Sequence, residues 1–241
     1  MTVEAPARGL VSIVLATFNE RENIADTIEG IFQHVRNPVE VIVVDDDSPD
    51  QTWKLVAELH DPRVKLIRRV ATLGLASAFL RGIIESRGDY VGWMDADMCM
   101  PPKLLPQMLE LLQEVDIVVG SRYVEGAEDL RTPLRVLSSR LINGFASFVL
   151  DQGIKDYDSG FVLLRRTVFD KVLPIPLGYG EYFIEFIYAC RRRGLTVREI
   201  PYSFTDRVKG VSKTAPSLYT FAKRGTGYVI RILRARLRGI D

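Results

Sequence analysis

The chain has 241 residues, of which 47% are hydrophobic and 26% charged, with a formal net charge of +1. That length suffices for one large domain with a sizeable core, and the near-neutral balance argues against a general nucleic-acid binder. Two cysteines, Cys99 and Cys190, form neither a disulfide framework nor a CxxC pair, and residues 1–9 lack the apolar centre of a signal peptide, so a reducing, cytoplasmic setting is expected.

In chain order, residues 10–17 (LVSIVLAT) read as a buried strand, 20–35 as an amphipathic helix and 39–46 (VEVIVVDD) as a second strand. Residues 51–60 follow as helix, 64–70 as strand, 74–87 as helix, 90–94 (YVGWM) as strand, 103–115 as helix and 116–123 as strand. Continuous β-branched runs alternating with helices of this length predict parallel βαβ units, whose ligands sit beyond the carboxyl ends of the strands. The later half is less regular: a helix over 134–150, a strand over 160–166, a helix over 181–194, one strand over 195–206 and, after the loop RVKGVSK, a terminal helix. No apolar run reaches the roughly 18 residues that span a bilayer. One domain is expected, with residues 1–221 as its body and 222–241 as a basic helix of the same domain or facing a membrane. In that helix Ile230, Leu233 and Leu237 share one stripe and Arg231, Arg234 and Arg238 another. This is the pattern of an interfacial amphipathic helix, or of a helix packed on its own domain with a solvated basic face.

Three predicted strands end in polar residues: Thr17-Phe18-Asn19-Glu20, Asp45-Asp46-Asp47 and Asp95-Ala96-Asp97. In extended chain, residues i and i+2 share a side, so Asp95 and Asp97 converge. Two anions that close repel unless a cation lies between them or a proton is shared. Hard oxygen donors suit magnesium or manganese, with substrate phosphates completing the shell. The bland alternative has Asp97 capping a helix that begins near Pro101. In DDDSPD, Asp50 is expected only to cap the helix from Gln51, while Asp46 can accept hydrogen bonds from a base or ribose edge.

Several segments, in order, carry a resemblance. ATFNERENI is similar to PTYNExENI, VIVVDDDSPDQT to VVDDGSPDGT, LGLASAFLRGI to LGLGxAxxxG and MDADMCMPPK to MDADLQHPPK. Further on, DYDSGFVLLRR is similar to DxTSGFRLYRR and IPYSFTDRVKGVSK to VPISFxDRxxGxSK. Together they resemble family 2 glycosyltransferases, in particular the dolichol- (polyprenol-) phosphate mannosyltransferase branch, over roughly residues 10–215.

The resemblance implies a single-domain, Rossmann-like A-type glycosyltransferase fold, α/β with a mostly parallel central sheet flanked by helices. It implies a metal-dependent, inverting enzyme that moves a sugar, mannose from GDP-mannose, onto a polyprenyl or dolichyl phosphate. It sets Ala16, Phe18, Glu20, Val44, Asp46 and Ala96 around the donor, with Arg207 and Lys213 gripping its phosphates. Asp95 and Asp97 become ligands of Mg or Mn and, with Arg122, the catalytic set; Arg122, Arg135 and Ser139 hold the acceptor phosphate. Two departures stand out. Cys99 occupies the place of the family's usual third metal-side residue, Gln, and a thiol is a poor magnesium ligand. Asp158 and Val162 replace the usual Thr and Arg of the SGFRLYRR box.

His34 and His60 lie at helix ends outside every motif and are expected on the surface. A sugar-hydroxyl acceptor needs a general base, for which Asp156 and Asp158 remain, whereas a phosphate monoester, with a second pKa of about 6, is already an anionic nucleophile. The shortage of a base favours the lipid phosphate. The expected partners are a nucleotide-sugar donor, a polyprenyl-phosphate acceptor and the cytosolic face of a membrane touched peripherally. The alternatives are a saccharide or small-molecule hydroxyl as acceptor, a UDP-sugar donor, or a non-catalytic nucleotide-binding protein. A dehydrogenase is disfavoured, since no GxGxxG follows the first strand.

Overall fold

The computed structural model describes residues 9–178, 180–205 and 218–237. Its strands are β1 (Val11–Thr17), β2 (Val39–Asp45), β3 (Val64–Arg68), β4 (Tyr90–Asp95), β5 (Ile117–Ser121), β6 (Glu128–Asp129), β7 (Val162–Arg165), β8 (Val197–Pro201) and β9 (Ser203–Phe204). The helices are α1 (Ile24–His34), α2 (Thr52–Glu58), α3 (Leu75–Glu85), α4 (Leu105–Leu111), α5 (Pro133–Leu150), α6 (Glu181–Arg192) and α7 (Leu218–Leu237). One seven-stranded sheet runs β3-β2-β1-β4-β7-β5-β8, and β6 and β9 form a small second sheet.

Helices cover both faces of the large sheet, which is why its strands are apolar on both sides. Val14, Ile42 and Val44 point to the face packed by Phe79 of α3, Ala146 of α5 and Phe183 and Phe186 of α6. Ile13, Leu15, Val41 and Val43 point to the other face, against Ile24, Ile28 and Ile31 of α1 and Met108 of α4. The strand order reverses between β1 and β4, whose parallel register sets Ala16 opposite Asp95. That reversal opens a crevice at the carboxyl edge.

Among the strands of the large sheet, β7 runs antiparallel to both β4 and β5, with Val162 opposite Trp93 and Val119. Its entering segment, residues 156–161, therefore arrives at the edge where β4 and β5 end. The strand expected over 195–206 is two. β8 pairs with β5 up to Pro201, a residue with no amide hydrogen to donate, and the chain then changes sheets to set Ser203 and Phe204 against Glu128 and Asp129. The helix expected over 103–115 is shorter, a 3-10 turn at Pro102–Leu104 followed by α4.

α7 packs on α5 and α6. Ile232 and Ala235 are buried, and the Arg231 guanidinium donates inward to Glu185 at 3.0 Å. The apolar stripe Ile230, Leu233 and Leu237 is 49%, 43% and 82% exposed. The helix thus packs on its own domain, with Arg231 turned inward, Arg234 exposed and the apolar stripe facing out.

Gly92 of β4 has no room for a side chain. A Cβ there would stand 2.7 Å from the Val162 carbonyl oxygen and 2.7 Å from Leu163 Cδ1. Gly92→Ala should force β4 and β7 apart and cost about 1–3 kcal/mol. Thermal unfolding of the purified variant checks this, and an unchanged midpoint would contradict the close approach.

Candidate active site

Two loops at the carboxyl edge are knitted together before any ligand is considered. Fully buried Asp45 accepts the Thr17 hydroxyl at 2.7 Å, the Ser48 amide at 2.8 Å and the Ser48 hydroxyl at 2.6 Å. Ser48 in turn accepts the Asn19 amide at 3.0 Å, and Thr52 accepts the Glu20 amide at 3.0 Å. Asp50 does more than cap a helix. Its Oδ1 accepts the Thr52 amide and hydroxyl while its Oδ2 accepts the Arg21 amide across the gap. These bonds fix Phe18 and Glu20 on the cavity wall.

Asp46 is buried and lines the same cavity, but its oxygens are already engaged. Oδ1 accepts Arg69 Nε at 2.6 Å, and Oδ2 accepts the Gly74 amide at 2.8 Å. Arg69 also donates to the Gly74 carbonyl and the Ser77 hydroxyl, so the 69–77 loop wraps around one carboxylate. A ligand meeting Asp46 meets this ion pair. Arg69 escaped sequence reading because RRV looked like the end of a strand; two arginines at a carboxyl edge were the available signal.

Beyond β4 the chain bends sharply, with Met98 at φ 63°. Asp97 is buried and its Oδ1 accepts the Cys99 amide at 3.1 Å, so it stabilises its own turn and not a helix at Pro101. Asp95, Ala96, Asp97 and Cys99 all face the cavity. Gly160 stands opposite, where a Cβ would lie 3.9 Å from Asp95 Oδ1. Among the described residues no group of three or more His, Cys, Asp or Glu side chains could hold a metal by protein ligands alone. Asp95 and Asp97 are hard oxygen donors of the kind that would suit a divalent ion sharing its shell with substrate phosphates. Cys99 contributes its amide to the turn, and its soft sulfur adds nothing to that donor set.

The opposite end of the cavity is cationic. Arg122, at the end of β5, is buried and makes a two-pronged pair with Asp156, Nε to Oδ2 at 2.8 Å and Nη2 to Oδ1 at 2.7 Å. Burial alone would pull the Arg122 pKa down; Asp156 overcomes it and holds the guanidinium charged. Its Nη2 also donates to the Asp158 carbonyl at 3.0 Å, while Nη1 has no hydrogen bond among the described residues. Arg131 pairs in the same two-pronged way with Asp129, and its guanidinium lies over the Phe204 ring at 4.9 Å. Arg135 and Ser139 of α5 complete this end, Ser139 accepting the Tyr123 hydroxyl at 2.8 Å.

Asp156, a candidate base by sequence, is thus the fixed partner of Arg122. Asp158 faces the cavity, its Oδ1 accepting the Tyr228 hydroxyl of α7 at 2.8 Å. His34 and His60 are exposed and bond only to nearby backbone.

One cavity of about 720 Å³ unites these ends. It gathers Ala16, Phe18, Glu20, Asp46, Asp95, Ala96, Asp97, Cys99, Arg122, Arg135 and Ser139 from the sequence-derived set. It does not include Val44, which is fully buried in the core behind it. Arg207 and Lys213 lie outside the described residues. Residues that sequence reading missed on these walls include Arg131, Tyr182 and Tyr228.

The family model described as glycosyl transferase family 2 matches residues 12–173. Over 216 residues the chain is 38% identical to a dolichol-phosphate mannosyltransferase of Pyrococcus furiosus, covering 84% of this chain and 58% of that protein. Over 226 residues it is 35% identical to a polyprenol monophosphomannose synthase of Mycolicibacterium smegmatis, covering 90% and 84%. The fold matches glucosyl-3-phosphoglycerate synthase of Mycobacterium tuberculosis, solved with Mn2+, UDP and glucosyl-3-phosphoglycerate. That match has a TM-score of 0.72 at 18% identity and covers 97% of this chain and 81% of the other.

Asp156→Asn should leave the Arg122 guanidinium buried without its countercharge, at a cost of about 3–5 kcal/mol, whereas Asp156→Leu with Arg122→Met should recover most of that. Urea unfolding of the two variants tests the pair. Equal stability of Asp156→Asn and the parent would remove it from the structure's supports.

Proposed function

The chain belongs to glycosyl transferase family 2, and on that premise we propose that it transfers mannose from GDP-mannose to the phosphate of a polyprenol at a membrane surface. The observation that carries this reading is the cavity itself. Its walls bring together the carboxylates Asp95 and Asp97, the cations Arg122, Arg131 and Arg135, and the apolar side chains of Leu73, Leu141 and Ile142. Leu141 continues an outward apolar line along α5, in which Leu134, Leu137, Leu141 and Phe148 are 60%, 57%, 65% and 84% exposed. An exposed stripe of this kind suits a lipid surface and a lipid-borne substrate. No helix among the described residues is long and apolar enough to cross a membrane.

Ala16, Phe18, Glu20, Asp46 and Ala96 hold the nucleotide-sugar on this reading, with Arg207 and Lys213 gripping its phosphates. Asp95 and Asp97 would hold Mg or Mn, which would supply positive charge to offset that of the departing diphosphate. Arg122, through Nη1, and Arg135 orient the acceptor phosphate behind the anomeric carbon. Because that phosphate is already anionic, no side chain has to remove a proton before attack. The M. smegmatis relative, matched over most of its length, supports the polyprenol acceptor.

A second reading, transfer to a hydroxyl, is favoured by Asp158, an acid on the cavity wall available as a base. Product lability separates the two, since a glycosyl phosphate is cleaved by mild acid and a glycoside survives.

Asp97→Asn should abolish transfer while the fold, read by circular dichroism, is unchanged; retained turnover in chelator-treated buffer would refute the carboxylate–metal role. Leu137→Ser with Leu141→Ser should weaken binding to lipid vesicles and lower turnover of vesicle-borne polyprenyl phosphate severalfold, while turnover of a short, water-soluble isoprenyl phosphate holds. Sedimentation with vesicles and both assays check this, and equal vesicle binding by variant and parent would argue against the lipid-facing stripe.

A further inference from the structure

Asp158 lines the cavity beside Arg122 and, unlike Asp156 and Asp129, is not locked in a two-pronged arginine pair. Its Oδ2 lies 3.9 Å from Arg122 Nη2, and its Oδ1 accepts the Tyr228 hydroxyl at 2.8 Å. Gly180, at the start of α6, leaves it just enough room: a Cβ there would fall 2.4 Å from Asp158 Oδ1. The charged and titratable groups around it are Arg122 at the end of β5, Arg131 beyond β6, Asp156 on its own segment, Glu181 and Tyr182 of α6 and Tyr228 of α7. Burial pushes the Asp158 pKa up to about 6, against the opposing pull of Arg122 and the Tyr228 hydrogen bond.

Resting on the phosphate-acceptor reading above, we propose that Asp158 takes up a proton when the acceptor phosphate binds beside Arg122, so that acid and phosphate hold one proton between them. A phosphate drawn to Arg122 Nη1 shares the cavity with Asp158. Two such anions side by side disfavour each other's ionised forms, and a single proton relieves both. The protonated carboxyl then donates a hydrogen bond where the carboxylate could only repel. An acid that titrates near 6 when the site is empty needs only a modest further push to stay protonated at neutral pH.

The sign of the pH dependence follows. Above about pH 6 the free enzyme has Asp158 ionised, so binding must draw a proton from solution, and acceptor affinity falls as pH rises, approaching tenfold per unit. Below about pH 6 the phosphate takes its own second proton and affinity falls again. The parent should bind best near the crossing.

Calorimetric titration of the full chain with a short-chain isoprenyl phosphate, in buffers of different ionisation enthalpy near pH 7.5, counts the protons directly. The expected result is uptake of about one proton by the parent and about none by Asp158→Asn, whose affinity no longer declines on the alkaline side. Tyr228→Phe removes a donor to the ionised form, so its alkaline decline should begin at higher pH, and this variant decides the matter if Asp158→Asn does not fold. Binding by the parent without proton uptake, an alkaline decline that survives in Asp158→Asn, or an unshifted decline in Tyr228→Phe would each overturn the assignment while leaving the phosphate acceptor standing. Absence of binding at every pH would remove the acceptor reading and this inference with it.

Discussion

The ion pair between Arg122 and Asp156 is the joint on which the cationic end of the cavity is built. Asp156 is completely buried and Arg122 nearly so, an arrangement whose desolvation cost is offset only when geometry and hydrogen bonding are complete. They are complete here. Asp156 Oδ2 also accepts the Arg122 amide at 3.0 Å, and the segment around it is tied on several sides. Glu199 of β8 accepts the amides of Lys155 and Asp156, Asn143 of α5 accepts that of Tyr157, and Tyr228 of α7 reaches Asp158. One short stretch, 155–158, thus gathers β5, β8, α5 and α7. It can do so because β7 runs against its neighbours and its entering segment arrives at their carboxyl edge.

The two ends of the cavity solve different electrostatic problems. At the ends of β1 and β2, acids are consumed by local bonds: Asp45 by Thr17 and Ser48, Asp46 by Arg69 and Gly74, Asp50 by Thr52 and Arg21. These make rigid walls. Asp95 and Asp97 are the carboxylates presented together at the end of β4, the side on which a divalent ion and a diphosphate belong under the proposed function. At the other end, arginines are held in place by acids: Arg122 by Asp156 and Arg131 by Asp129.

Much of this was legible in the sequence, for identifiable reasons. Continuous apolar runs between amphipathic helices specify a doubly covered sheet, and the order of motifs located the carboxyl edge and eleven of its lining residues. Strand direction was not legible, because the apolar run at 162–165 reads the same either way. The role of Asp156 was hidden by distance, its partner lying 34 residues earlier. Residues 195–206 read as one strand because Pro201 sits within an otherwise continuous alternation, and the change of sheet falls just after this residue, which has no amide hydrogen. Val44 was drawn into the site by its neighbour Asp46; it lies inside β2, fully buried in the core, whereas Asp46 stands just beyond the strand's end.

α7 has two apolar sides, and that bears on how the molecule responds to whatever it touches. Ile232 and Ala235 anchor it inward together with Arg231, while Ile230, Leu233 and Leu237 face out and Tyr228 closes the cavity wall at Asp158. One helix thus carries both a wall of the site, at Tyr228, and an apolar stripe turned to the surroundings.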